Sequence, residues 1–309
     1  MDGQERARRE EFLKTQEPLR RNAFRIIKAM LDWCNQTPGS KHFVDEMLHS
    51  IFFLGKVNNA PYTPESIVGN EEILDNLKEK YPGPFKFYST QLPRRSPFSC
   101  VMDMVVMHNG QEKEDQIKQT LKDLINGLEE RFLVSSTICV SQKSNNSVRH
   151  YGVSMSTSGP NPGKIVIAAS CFSRWDDYVA GAVMTYYPDK VKKSYFDGTI
   201  KIPNNVRCQA FNLREGDAMP PCRSCGNLFG LHTTETRQWP YGNCAEAESL
   251  SELLKKEEEV KNQARPTSPT CTPENTQKAK ESALKQLQNV LNMVRFKTWD
   301  KDFYNPKTE

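Results

Sequence analysis

Residues 219–254, MPPCRSCGNLFGLHTTETRQWPYGNCAEAESLSELL, constrain this chain more than any other stretch, because they put three of its nine cysteines at two expected helix starts. Cys222 and Cys225 form a Pro-Cys-x-x-Cys turn, and Cys244 follows after an eighteen-residue spacer. Pro221 suits a first helical turn, since proline lacks the N–H that would be unpaired there and its φ is already helical. Asn243 is placed to cap the second helix, whose buried stripe would be Leu250, Leu253 and Leu254. Unpaired N–H groups at a helix start favour thiolate over thiol, and thiolate is the form that binds zinc. The expectation is that the sulfurs of Cys222, Cys225 and Cys244 meet at one point.

The residues alone leave the purpose of such a cluster open. Cys208 would complete a closed four-thiolate structural site, and His232 would serve equally well as the fourth ligand. Glu246 stands three positions after Asn243, where a glutamate closes a capping box. Trp239 and Tyr241 lie in the polar loop beside the cysteines and are the rings best placed to stack on a base, if one is bound.

Together the two motifs resemble the signatures of the zinc-dependent cytidine deaminase superfamily, Cys-x-Glu at one helix start and Pro-Cys-x-x-Cys at a neighbouring one. Gly242 to Glu246 is similar to the Cys-Ala-Glu form of free-nucleoside deaminases. The resemblance implies Zn2+ held by Cys222, Cys225 and Cys244, with Glu246 as the catalytic proton shuttle that does not ligate the metal. Its implied reaction is hydrolytic deamination of a cytosine-type base, in a nucleoside or in single-stranded nucleic acid. The motif order is inverted relative to the family, so a permuted arrangement is implied, and the resemblance covers about a tenth of the chain. From a different class, the alternative is a non-catalytic protein that meets proteins or nucleic acid through a surface organised by structural zinc.

Composition narrows the setting. A formal charge of +4 over 309 residues is too small to assert nucleic-acid binding by itself. The first residues contain no apolar run of a secretory signal, and no run approaches the roughly 18 apolar residues of a membrane span. Nine cysteines, an odd number scattered through apolar runs, indicate reduced thiols and an intracellular protein, cytoplasmic or nuclear. Cys100, Cys139 and Cys171 read as small buried residues.

Hydrophobic periodicity divides the chain into four parts. Residues 1–84 read as a helical N-terminal module, with one long helix or two meeting near Pro18 over 3–35, and further helices over 40–56 and 69–81. Residues 85–263 read as an α/β core carrying the zinc site, with strands at 85–89, 98–108, 136–141, 148–157, 164–170, 194–202 and 206–211. Helices are expected there over 113–132, 175–186 and from Cys244. Three prolines among serines and threonines make 264–276 a flexible linker. Residues 277–309 read as an amphipathic helix and tail, whose stripe of Ala283, Leu284, Leu287, Leu291 and Val294 docks on the core or meets a protein partner. The expected class is α+β or mixed α/β, with a central sheet of about five strands flanked by helices and a helical N-terminal part.

Overall fold

A computed structural model describes residues 3–306, with side chains from residue 18 onward. The first two residues of the expected N-terminal module and the last three of the expected tail lie outside the described residues. The chain opens with five helices, α1 (Gly3–Gln36), α2 (Lys41–Lys56), α3 (Pro64–Val68), α4 (Glu71–Lys80) and α5 (Pro82–Phe87). Next come α6 (Pro97–Asn109) and α7 (Glu114–Ile125), then strands β1 (Thr137–Gln142) and β2 (His150–Val153). Helices α8 (Pro160–Ser173) and α9 (Asp177–Met184) precede strands β3 (Arg207–Asn212) and β4 (Ala218–Met219). The remainder is helical, with α10 (Arg223–Phe229), α11 (Ala245–Lys256), α12 (Glu258–Gln263) and α13 (Pro273–Met293).

The class is mixed α/β, but the sheet has four strands among the described residues, all antiparallel, in the order β2-β1-β3-β4. Three of the expected strands are helices. Residues 98–108 form most of α6, and their nearly unbroken apolar run reflects a helix buried on almost every side from Pro97 to Val105. Periodicity cannot separate such a helix from a buried strand. The signal that separates them is Pro97 at the first helical position after Ser96. Pro160 likewise opens α8, so 164–170 is helical, and Pro82 does the same for α5 over 85–87. Residues 194–202 join no strand of the sheet, with a turn at 194–195 followed by irregular backbone. Ile200 and Ile202 donate their backbone N–H to the carbonyls of Leu228 and Phe229, each at 2.9 Å, which satisfies acceptors left over at the end of α10.

The register of the sheet separates large from small residues. Cys139 pairs with Gly152 and Ala210, and Ser141 pairs with Cys208, so these small side chains share one face. Helix α11 crosses that face in contact with β1, β2 and β3. A Cβ on Gly152 would lie 2.3 Å from the backbone N of Ser249 and 2.5 Å from the carbonyl of Ala245, so only glycine permits this approach. Ile138, Val140, Tyr151 and Val153 point the other way, into the main core. That core is one continuous cluster extending from Leu19 in α1 to Phe296 after α13. Helix α13 packs against α8 and α9, burying Ala283, Leu287 and Leu291, while Leu284 of the expected stripe stays exposed.

Candidate metal centre

The segment between α10 and α11 is stitched at four points to α10 and the residue before its cap. Thr233 Oγ1 donates to the carbonyl of Pro221, and the backbone N–H of Arg223 donates to Arg237 O at 3.0 Å. Ser224 Oγ donates to Trp239 O at 2.6 Å, and Asn227 Nδ2 donates to Tyr241 Oη at 2.8 Å. A turn closes the segment, with Asn243 N–H donating to Pro240 O at 3.0 Å and Gly242 at φ +88°. Glycine is needed there for its left-handed backbone. Its Cα also faces Ile167, Val183 and Trp175, any of which a Cβ would approach to 3.0–3.2 Å.

This stitching brings together the three thiols expected to meet. Their sulfurs all lie within 4.8 Å of one another, and Cys222 Sγ is 3.5 Å from Cys244 Sγ. Cys222 caps α10 and Cys244 caps α11. Cys225 is buried, and its two partners are half-buried. All nine cysteines are free thiols. Cys222 is held far below the ordinary thiol range by hydrogen bonds from the Cys225 and Cys244 thiols, with help from backbone N–H groups of Cys225 and Trp239. Hydrogen bonding to Cys222, together with burial, raises the Cys225 and Cys244 thiols well above the ordinary thiol range. Three converging sulfur donors could hold a metal ion, and sulfur donors suit zinc.

Two residues considered as a fourth ligand stand apart. Cys208 Sγ lies 3.7 Å from Cys139 Sγ, across β1 and β3, and is not part of the three-cysteine group. His232 is exposed and also outside that group. Among the described residues, Cys222, Cys225 and Cys244 form the one group of three or more metal-capable side chains.

Glu246 occupies the first turn of α11 and is 4% exposed. The capping-box explanation for it does not hold, because Cys244 is the cap and the Asn243 N–H is taken by Pro240 O. Pro221 correspondingly precedes the cap of α10 and does not enter the helix. Burial pushes the Glu246 carboxyl up to about 7, against hydrogen bonds from its own backbone N–H and from the Cys225 thiol that oppose the rise. Cys222 and Cys225 both act on its pKa, so the carboxyl lies near the cysteine cluster while remaining outside the group of three. Cys139, expected only as a small buried residue, lies near enough on the sheet face for the Glu246 charge to help raise its thiol pKa, though burial is the larger cause. Nothing in the sequence signals that neighbour, since the two are joined only by α11 crossing β1.

Of the two rings expected to stack on a base, one is not accessible. Tyr241 is buried and stacked on Tyr186, with ring centroids 3.9 Å apart and planes 4° from parallel. Trp239 is 40% exposed, with the Arg237 guanidinium 3.9 Å from its ring centre. No protein-family model, curated protein or solved structure matches this chain. No helix among the described residues is long and apolar enough to cross a membrane.

Proposed function

We propose that this protein is a zinc-dependent hydrolytic deaminase of a cytosine-type base, carried by a nucleoside or by single-stranded nucleic acid. The observation that carries the reading is the placement of a buried carboxyl, Glu246, against three converging thiols to which neither Cys208 nor His232 adds a fourth ligand. Catalytic zinc sites keep a coordination position open, whereas structural ones are closed by a fourth protein ligand. Cys222, Cys225 and Cys244 would hold the zinc, which when bound would supply Lewis acidity toward a water molecule. Glu246 then takes a proton from the attacking water and delivers it to the departing ammonia, which requires a carboxyl close to the cluster but outside the ligand set. Trp239, exposed and backed by Arg237, is the ring left to receive a base.

The test compares wild type with Glu246→Gln at equal measured zinc content, following ammonia release from cytidine and from cytosine-containing oligonucleotides. The expected result is that the variant keeps its zinc and its fold and loses about 10² to 10⁴ in rate. Cys244→Ser should lose zinc and activity together. Turnover unchanged in Glu246→Gln would remove Glu246 from the chemistry. A zinc-loaded wild type inert on every substrate would transfer the centre to a structural role.

A further inference from the structure

A second site lies away from the cysteines, in a cavity of about 520 Å3 between α8 and α9 on one side and residues 265–280 on the other. Small-molecule sites occupy about 300–1,000 Å3, so the volume suits a compact organic ligand. Its two walls differ in character. Phe172, Trp175, Tyr178 and Phe196 supply aromatic rings from one side, and Arg265 and Lys280 supply cations from the other. Arg265 and Lys280 outnumber the one carboxylate among the lining groups, Asp177, which also pairs with a lysine, Lys261, that it shares with Asp176. The charge left facing the cavity is positive.

Gly181 points to a cavity that is kept open. It is buried in the middle of α9 with an ordinary helical backbone, where alanine is the better helix former. A Cβ at Gly181 would meet no atom within 4 Å, although the residue lines the cavity. Neither backbone conformation nor crowding of its own side chain calls for glycine here. What glycine preserves is the empty space.

From the paired walls and the open glycine we infer that this cavity binds a small planar aromatic anion, its ring among Trp175, Tyr178 and Phe196 and its charge toward Arg265 and Lys280. Ring stacking and charge pairing are separate contributions, so the ligand needs both features. The site shares no residue with the cysteine group and does not rest on the proposed deaminase activity. The two are nonetheless adjacent, since the Trp175 indole edge packs against Gly242, two residues before Cys244.

Calorimetric titration of the full chain with adenosine 5′-monophosphate, naphthalene-2-carboxylate, adenosine and inorganic phosphate tests this. Saturable binding of either aromatic anion at one per chain is expected, with adenosine and phosphate weaker by about tenfold or more. Binding of the nucleotide alone would assign the site to a nucleotide, and binding of the carboxylate alone to an aromatic acid. Gly181→Leu should fill the space and abolish binding, with an unchanged circular dichroism spectrum and a melting temperature at or above wild type. Lys280→Glu, a surface change that leaves the cavity shape intact, should weaken the anions about tenfold and leave adenosine unaffected. Adenosine bound as tightly as its monophosphate, no binding of either anion, or binding that survives in a folded Gly181→Leu would overturn the proposal.

Discussion

Gly152 shows how one residue positions the candidate centre. Its missing side chain lets α11 lie directly on the sheet, with backbone atoms of Ser249 and Ala245 where a Cβ would otherwise be. Gly152→Ala should therefore push back the helix whose cap is Cys244, costing about 1–3 kcal/mol in urea unfolding and loosening zinc retention. A variant within about 0.5 kcal/mol of wild type would mean that the helix adjusts freely. Glu114 makes a different kind of contribution. Burial raises its pKa, but hydrogen bonds from Arg207 and Arg149 prevail and hold it at about 2, against an ordinary value of 4.5. A folded pKa below the unfolded one gives stability that is fully present above pH 4.5 and is lost as pH falls from there toward 2. Glu114→Gln should lower stability at neutral pH and flatten the acid limb of the stability profile across that window, as read by urea midpoints at successive pH values.

At the scale of elements, a buried ion network ties the N-terminal helices to the ground under α11. Arg95, just before α6, is 3% exposed and meets Glu46 of α2 at 2.7 Å and Asp103 of α6. Asp103 is shared with Arg174, which reaches Glu252 of α11 at 3.5 Å. Alongside it, Ser99 of α6 donates to Glu248 of α11, whose other oxygen accepts the Val153 N–H of β2 at 2.9 Å. Removing one member of a buried pair leaves its partners charged and unsolvated, which outweighs whatever the pair contributed by forming. Arg95→Ala should accordingly cost about 3–5 kcal/mol in denaturant unfolding. A loss below about 1 kcal/mol would show that Glu46 and Asp103 find other partners or protonate at little cost.

The whole molecule is closed by its last described residues. Leu92 and Phe303 form a parallel bridge, and the Tyr304 backbone N–H donates to Leu92 O at 2.8 Å. The Tyr304 ring stacks on the buried His49 of α2 at 3.9 Å, and its hydroxyl donates to Asp45. Since the core cluster runs unbroken from α1 to beyond α13, damage at either end should be felt by the whole. Tyr304→Ala and Leu287→Ala should each lower stability by about 2–5 kcal/mol and move one common transition, whether followed by fluorescence or by circular dichroism. Two separate transitions, with only one displaced by each variant, would mark the N-terminal helices and the α/β part as independently folding units.

The sequence by itself determined the local features whose cause is local. The amphipathic stripes behind α2, α4, α7 and α13, the helix at 177–184 and the strands at 137–142 and 207–212 follow from periodicity and from capping residues such as Asp176. The spacing of Cys222, Cys225 and Cys244 marks the candidate centre in the sequence itself. Only the tertiary structure decided the rest. Helices α6 and α8 are enclosed on nearly all sides, and that enclosure removes the polar face by which a helix is recognised. Whether Tyr241 faces solvent or Tyr186, and whether Glu246 caps its helix or faces sulfur, depends on partners elsewhere in the chain. Cys208, a ligand by spacing, is paired by strand register with Ser141, which sets its sulfur diagonally across from that of Cys139 at 3.7 Å. Spacing along a chain limits which side chains can meet, but pairing and packing between distant segments select which of them do.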